Sequence, residues 1–159
     1  MSVTEVSDGF LVGGSLGTKV VSIGTTNPIS FTGTSTNNTD YDGIIVKFDK
    51  TGNAVWAEGI YGTVNETVKK VVATNDGGFI VAGEFNSPTL TIGENALTNQ
   101  GGNDVYIAKF NSDRSVAWAS SIGGAQEELA SALTLTADGG YLLGGTFVTK
   151  TINISDDVS

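Results

Sequence analysis

The stretch DGIIVKFDKTGNAVWAEGIYG (residues 42–62) recurs without gaps as DVYIAKFNSDRSVAWASSIGG (104–124), a shift of 62 residues. Eight of the 21 aligned positions are identical, whereas unrelated segments of ordinary composition would share about one or two. A second block occurs three times, as VSDGFLVGG (6–14), TNDGGFIVAG (74–83) and TADGGYLLGG (136–145). A repeat of this length is a supersecondary unit that buries its apolar face only by stacking on copies of itself.

The second copy predicts the strands of the repeat. Its Asp76-Gly77 pair lies between two apolar runs, which is the strongest short-range signal for a hairpin and predicts a type I′ turn. A weaker strand and two longer ones follow the hairpin. The predicted strands are 71–74, 79–83, 89–93, 104–110 and 115–122, and no helical apolar period of useful length occurs.

The strands 79–83 and 104–110 are apolar on both faces, which is typical of a sheet packed between two other sheets. Four-stranded sheets stacked face to face in a circle form a β-propeller. We therefore predict an all-β fold of propeller-type blades, with about two and a half repeats and no complete ring in one chain. The predicted repeat domain is 1–159, divided into 3–70 with an inserted loop at 27–40, then 71–131, then 132–159.

The order of motifs resembles a known group of repeats. A DGG turn, [YF]-[IL]-[VL]-x-G, a spacer, D-[VG]-x-I-x-K-F and V-x-W-A-x-x-I-G-G look like the bacterial propeller-type repeats of secreted and cell-surface proteins, with the strand logic of NHL-type blades. The resemblance covers nearly the whole chain and implies a scaffold or binding module. No catalytic residues come with the pattern, and none are carried over.

Propeller rings have about four to eight blades, which leaves three interpretations of two and a half repeats. The chain is a fragment of a longer propeller, one part of a ring completed by several chains, or an open stack. The third copy leaves an apolar strand without a following partner, and such an edge invites pairing with another chain. Its predicted assembly edge is Tyr141, Leu142 and Leu143.

The composition limits the classes of binding partner and catalyst that we expect for this chain. The net charge is −9, with a pI near 4.2 and only eight Lys and Arg, so we expect neither nucleic acid nor an anionic membrane surface to bind. The absence of His and Cys removes the usual zinc ligands and the cysteine and histidine catalysts. Few charged residues favour an extracellular or cell-surface location. Val3 already belongs to the first predicted strand, so no signal peptide is expected in these residues.

Several polar residues recur at one repeat position. Asp8, Asp76 and Asp138 could form a carboxylate ring that binds cations, but the adjoining glycines favour turn capping. Lys47 and Lys109 recur too, as do Asp42 with Asp104 and Glu66 with Glu128. We predict an ion pair or hydrogen-bonded link between repeats, with Glu66 and Glu128 as the partners of the lysines.

The inserted loop supplies the ligand hypotheses. Exposed aromatic rings and amides are common in sugar sites, and the candidates here are Phe31, Asn37, Asn38, Tyr41 and Tyr61. Asp40 and Asp42 have the oxygen ligands that Ca²⁺ prefers, although the spacing does not match an EF-hand. We predict no other cofactor. The alternative interpretation of these rings is that Phe31 and Tyr41 anchor the loop.

The sequence therefore predicts a non-enzymatic propeller-type module. Its expected role is a scaffold, protein-interaction or self-assembly surface, with carbohydrate binding through 27–40 as the alternative. The paired acids Glu127-Glu128 and Asp156-Asp157 do not suggest a glycosidase, since sequence neighbours rarely face each other across a scissile bond.

Overall fold

The computed structural model describes residues 1–17, 19–24, 28–34 and 40–154. These residues form strands joined by turns and short connections, and none of the described residues is helical, so no described helix could cross a membrane. The strands are β1 (Ser2–Val6), β2 (Gly9–Leu16), β3 (Val20–Ile23), β4 (Ile29–Thr32), β5 (Asp42–Asp49), β6 (Ala54–Ile60), β7 (Glu66–Ala73), β8 (Phe79–Phe85), β9 (Thr89–Ile92), β10 (Asn95–Thr98), β11 (Asp104–Phe110), β12 (Val116–Gly123), β13 (Glu128–Leu135), β14 (Tyr141–Phe147) and β15 (Asn153–Ile154). The predicted all-β class is confirmed.

Two antiparallel sheets have the same internal order. The first sheet is β1-β2-β5-β6, and the second is β7-β8-β11-β12 with the short β15 added beside β12. In each sheet a small hairpin, β3-β4 or β9-β10, is inserted between the second and third strands. The third copy contributes β13 and β14, which in the described ranges pair only with each other and are named the terminal hairpin. The described residues form several small sheets and no closed ring.

The predicted strands are present, and β7 and β8 are longer than predicted. β7 begins at Glu66, several residues before the apolar run at 71, because Glu66, Val68 and Val71 all point into the core. The weak strand predicted at 89–93 is β9, and it pairs with β10. The segment 27–40, predicted as a polar loop, contains β4, which is paired with β3.

The turn type predicted at Asp76-Gly77 is wrong. A type I′ turn requires positive φ at both central residues, but among the described non-glycine residues only Arg114 has positive φ. The turn in the structure is longer. The N–H of Gly77 donates to the carbonyl oxygen of Thr74, and the N–H of Thr74 donates to the carbonyl oxygen of Gly78. Gly77, with φ of 82°, adopts the left-handed conformation that ends a three- to five-residue hairpin loop.

The layers stack face to face and bury three apolar clusters. The largest cluster lies between the first and second sheets and includes Ile45, Val81 and Tyr106. A second lies between the second sheet and the terminal hairpin, and a third beneath β3-β4 on the outer face of the first sheet. Trp56 stacks on Phe79 of the next sheet with ring centroids 5.9 Å apart. Trp56 therefore fills part of the space between the first and second sheets.

Candidate functional site

The free edge of β14 is the clearest unpaired feature of the described chain. Its counterparts in the earlier copies, β2 and β8, are hydrogen-bonded to strands on both sides. Among the described residues, β14 pairs with β13 alone. Because backbone N–H and C=O groups on such an edge have no ladder partner, they can template an additional strand.

The three residues predicted for the assembly edge do not point the same way. Tyr141 and Leu143 pack towards the second sheet, where Tyr141 stacks on Trp118 at 5.3 Å between ring centroids. Leu142 points away and is 63% exposed. Its repeat counterpart Ile80 is 3% exposed because the terminal hairpin covers it. We name the outward side of the terminal hairpin, which carries Leu129 and Leu142, the tail face.

The opposite end of the stack also carries exposed apolar side chains. Val3 is 66% exposed and Phe10 is 38% exposed. Their cross-strand neighbours Val12 and Phe48 share this side of the first sheet, which faces away from the second sheet. We name this surface, defined by Val3, Phe10, Val12 and Phe48, the head face. Composition alone could not reveal it, because only strand register decides which side of β1 and β2 is covered.

Each recurring lysine binds a turn aspartate of its own repeat. The predicted link between repeats, with Glu66 and Glu128 as the partners of the lysines, is therefore wrong. Lys47 Nζ contacts Asp8 Oδ1 at 2.5 Å, and Lys109 Nζ contacts Asp76 at 3.0 Å. Lys109 Nζ also donates to Thr74 Oγ1 at 2.8 Å and to the Phe110 carbonyl at 3.0 Å. Register explains the difference, because Lys109 lies opposite Ile80, next to the turn end of β8 and far along the strand from Glu66.

Asp76 and Asp138 cap their own turns, in agreement with the structural alternative considered for them. Asp76 Oδ1 accepts hydrogen bonds from Thr74 Oγ1 at 2.5 Å and from the N–H of Gly78 at 3.0 Å. Asp138 accepts from Thr136 Oγ1 and from the N–H of Gly140. The Thr74 hydroxyl, followed by Lys109, lowers the pKa of Asp76, and the Thr136 hydroxyl lowers the pKa of Asp138. In the described residues Asp138 has this cap without a lysine.

The other recurring carboxylates meet each other at the junctions between repeats. Burial raises the pKa of Glu66, and the charge of Asp42 raises it further against the opposing hydrogen bond from Ser87. Burial likewise raises the pKa of Asp104, with Glu128 adding to the effect. Glu66, Glu128 and Asp104 are fully buried. A buried carboxylate needs compensating partners, and at each junction burial holds the pKa of one carboxyl, Glu66 or Asp104, above its usual range.

The carbohydrate and calcium candidates have other contacts. Phe31 is buried and stacks on Tyr61 at 5.8 Å between ring centroids, while Tyr41 is 46% exposed. Asn37 and Asn38 lie outside the described residues. Asp42 accepts hydrogen bonds from the N–H and the hydroxyl of Thr34, at 2.7 and 2.8 Å. No group of three or more acidic side chains that could hold a metal ion occurs in the described ranges.

Two cavities recur at the junctions, and the sequence analysis did not anticipate them. One of about 340 Å³ lies between the first and second sheets and is lined by Lys47, Trp56 and Phe79 among others. The other, of about 320 Å³, lies between the second sheet and the terminal hairpin, with Lys109, Trp118 and Tyr141 at the equivalent positions. Their lysines are already paired with Asp8 and Asp76, so the cavities are gaps beside the turn ends. The sequence signal that could have predicted these cavities is the spacing of Lys, Trp and the Asp-Gly turn, which the copies share.

Comparison of the sequence with models of known protein families and with curated proteins found no match. The geometry therefore carries the functional argument.

Proposed function

We propose that this chain is a non-enzymatic repeat module of β-propeller type. Its four-stranded sheets act as blades, and its uncovered faces form a scaffold and protein-interaction or self-assembly surface of a secreted or cell-surface protein. Support for the blades comes from the shared strand order of the two sheets and from their face-to-face stacking. Support for the location is compositional, namely a low content of charged residues.

The difference between Leu142 and Ile80 carries the proposal. Both occupy one repeat position, but Leu142 is 63% exposed and Ile80 is 3% exposed. Burying a leucine side chain contributes about 1.5–3 kcal/mol. The tail face therefore has the composition of an interface whose partner is a further apolar sheet face, which is what the second sheet receives from the terminal hairpin.

The test is a charge on the tail face, Leu142→Lys, with mass measured by light scattering over a range of concentrations. The wild-type chain should form assemblies larger than a monomer, and the variant should associate at least about ten-fold more weakly, since burial of the charge opposes the contact. Leu142 does not contribute to the described core clusters, so the variant should fold.

Val55→Lys is the matched control, because Val55 is 52% exposed and lies on β6 of the first sheet. It should leave the mass distribution unchanged. A wild-type chain that stays monomeric at every concentration, or equal association by both variants, would contradict the proposal. The carbohydrate alternative has less support, because the ring of Phe31 is buried and stacked on Tyr61 and is not exposed to a sugar.

A further inference from the structure

We propose that the free edge of β14 adds an extended strand from another polypeptide, and that it selects a strand with a lysine placed to reach Asp138 and an aromatic residue directly after that lysine. This inference rests on the proposed function and specifies its partner. The partner strand has the chemistry of β5 and β11, the strands that occupy the same edge in the two complete copies.

The backbone register defines where the lysine must lie. β8 pairs with β11 from Asp104 opposite Phe85 to Phe110 opposite Phe79, which places Lys109 opposite Ile80. β14 is the counterpart of β8, with Leu142 in the position of Ile80. A strand added to β14 in the same register therefore has its lysine opposite Leu142, beside the turn that carries Asp138.

The carboxylate that would bind this lysine is already held in place by its own turn. In the second sheet the turn aspartate, Asp76, accepts from Thr74 and Gly78 and also binds Lys109 Nζ at 3.0 Å. Asp138 has the equivalent bonds from Thr136 and Gly140, and within the described residues it has no cation. Because the turn holds the carboxylate in place before a partner arrives, little ordering of the acceptor is needed on binding.

The surface of the second sheet that would lie beneath an added strand is apolar and only partly covered. Ile122 is half-buried, whereas its first-sheet counterpart Ile60 is 2% exposed. In the second sheet, the residue after the lysine, Phe110, stacks on Phe79 with ring centroids 4.9 Å apart. Tyr141 occupies the position of Phe79 and stacks on Trp118, but no described strand lies on the other edge of β14 to supply an equivalent of Phe110. An aromatic residue after the incoming lysine would fill that place.

The chain contains a sequence that serves as a probe. A fluorescent synthetic peptide of residues 104–122 carries β11, its turn and nearly all of β12, and its binding to the full 159-residue chain is measured by fluorescence anisotropy. We expect saturable binding. Lys109→Met in the peptide and Asp138→Asn in the chain should each weaken binding about two- to five-fold, the range for an exposed ion pair. Combining the two changes should weaken it no further than either alone.

The peptide variant leaves the chain untouched, so it tests the lysine even if Asp138→Asn disturbs the terminal hairpin. Asp113→Asn in the chain is the control, because Asp113 is an exposed turn aspartate that caps Ser115 on the second sheet. It should not change the affinity. Absence of peptide binding, or equal affinity of the Lys109→Met peptide, would overturn the inference.

The two proposals fail separately. If Leu142→Lys abolishes assembly but the peptide does not bind, the tail face is an interface and the edge inference is wrong. If the peptide binds a chain that is monomeric by light scattering, the edge inference stands and self-assembly is wrong.

Discussion

Glu66 shows how the junction between repeats depends on protonation. Its Oε1 accepts a hydrogen bond from Ser87 Oγ at 2.5 Å, and its Oε2 has no hydrogen-bond partner in the described part of the chain. Ser87 in turn accepts from the N–H groups of Thr63 and Val64, so this buried hydroxyl ties the repeat boundary to the glutamate. Burial is the main reason that the pKa of Glu66 is raised.

The raised pKa predicts the sign of a pH effect. An acid with a raised pKa holds its proton more tightly in the folded state than in the unfolded chain, where Glu66 titrates near 4.5. Stability contributed by this group therefore falls as the pH rises from about 4.5 through the raised pKa. Glu66→Gln mimics the protonated form, and at pH 7.5 we expect it to be more stable than wild type by about 1–3 kcal/mol, the range for relieving a buried unsatisfied group.

Urea unfolding followed by tryptophan fluorescence at pH 4.5 and 7.5 measures this difference, which should nearly vanish at pH 4.5. The lower pH limit matters because the capping aspartates have lowered pKa values. Asp49 is one of them, and hydrogen bonds from the Thr51 hydroxyl and the Asn53 N–H lower its pKa to about 2. The stabilisation that these aspartates contribute is lost only below about pH 4. Glu94→Gln on the exposed β9-β10 turn is the control. A Glu66→Gln variant that gains nothing at pH 7.5 would show that the junction carboxyl is satisfied when charged.

The turn pattern did not predict the backbone conformation of Arg114. It has φ of 73° where the first copy has Gly52, with φ of 86°. Its guanidinium lies 5.4 Å from the ring centroid of Trp56 and 3.9 Å from Glu58. The contact to the preceding sheet offsets part of the strain of a left-handed non-glycine residue.

Two hairpins in this chain have a β-bulge at the same repeat position. β7 has a bulge between Val68 and Lys70, opposite Gly83 and Ala82, and β13 has one between Ala130 and Ala132, opposite Gly145 and Gly144. A Cβ added at Gly145 would overlap the carbonyl oxygen of Leu129. A Cβ added at Gly144 would meet only Ala132 Cβ, at an ordinary 3.5 Å.

These two neighbouring glycines give a matched pair of substitutions. Gly145→Ala should destabilise the protein by about 1–3 kcal/mol, because the backbone must move to relieve the overlap. Gly144→Ala should change stability by less than about 0.5 kcal/mol. Thermal unfolding by circular dichroism distinguishes them, and equal melting temperatures would mean that the bulge relaxes without cost.

Sequence patterns predict the elements better than their contacts. The strands β8, β11 and β12 follow from apolar runs bounded by turn residues, and the repeat predicts that both sheets share one order. The predicted turn type was wrong because it depends on how many residues close the turn between β7 and β8. The predicted lysine partner was wrong because strand register places Lys109 beside that turn. The junction carboxyl pairs were missed because their members are 24 residues apart in the chain and come together only when sheets stack.

At the scale of the whole molecule, the head and tail faces are different surfaces. A contact between head and tail is heterologous, so it propagates into a ring or an open series of copies. Val3 is 66% exposed on the head face and Leu142 is 63% exposed on the tail face. Val3→Lys and Leu142→Lys therefore block opposite ends of the same interface.

Mixing these variants tests the polarity of assembly. Each variant alone should be monomeric, and an equimolar mixture should form a dimer and nothing larger, because the Leu142→Lys chain keeps its head face and the Val3→Lys chain keeps its tail face. Light scattering gives the mass, and circular dichroism confirms that both variants fold. A mixture that remains monomeric would exclude the head-to-tail arrangement.

The equivalence of Leu142 and Ile80 has a consequence for how such chains change over generations. Duplication of one 62-residue unit would insert a sheet whose two faces already match the surfaces above and below it. No new complementarity has to arise, because the added unit inherits the lysine, the turn aspartate and the junction carboxyls together. Repeat number in this architecture can therefore drift while each boundary keeps its chemistry, and selection on length is separated from selection on contacts.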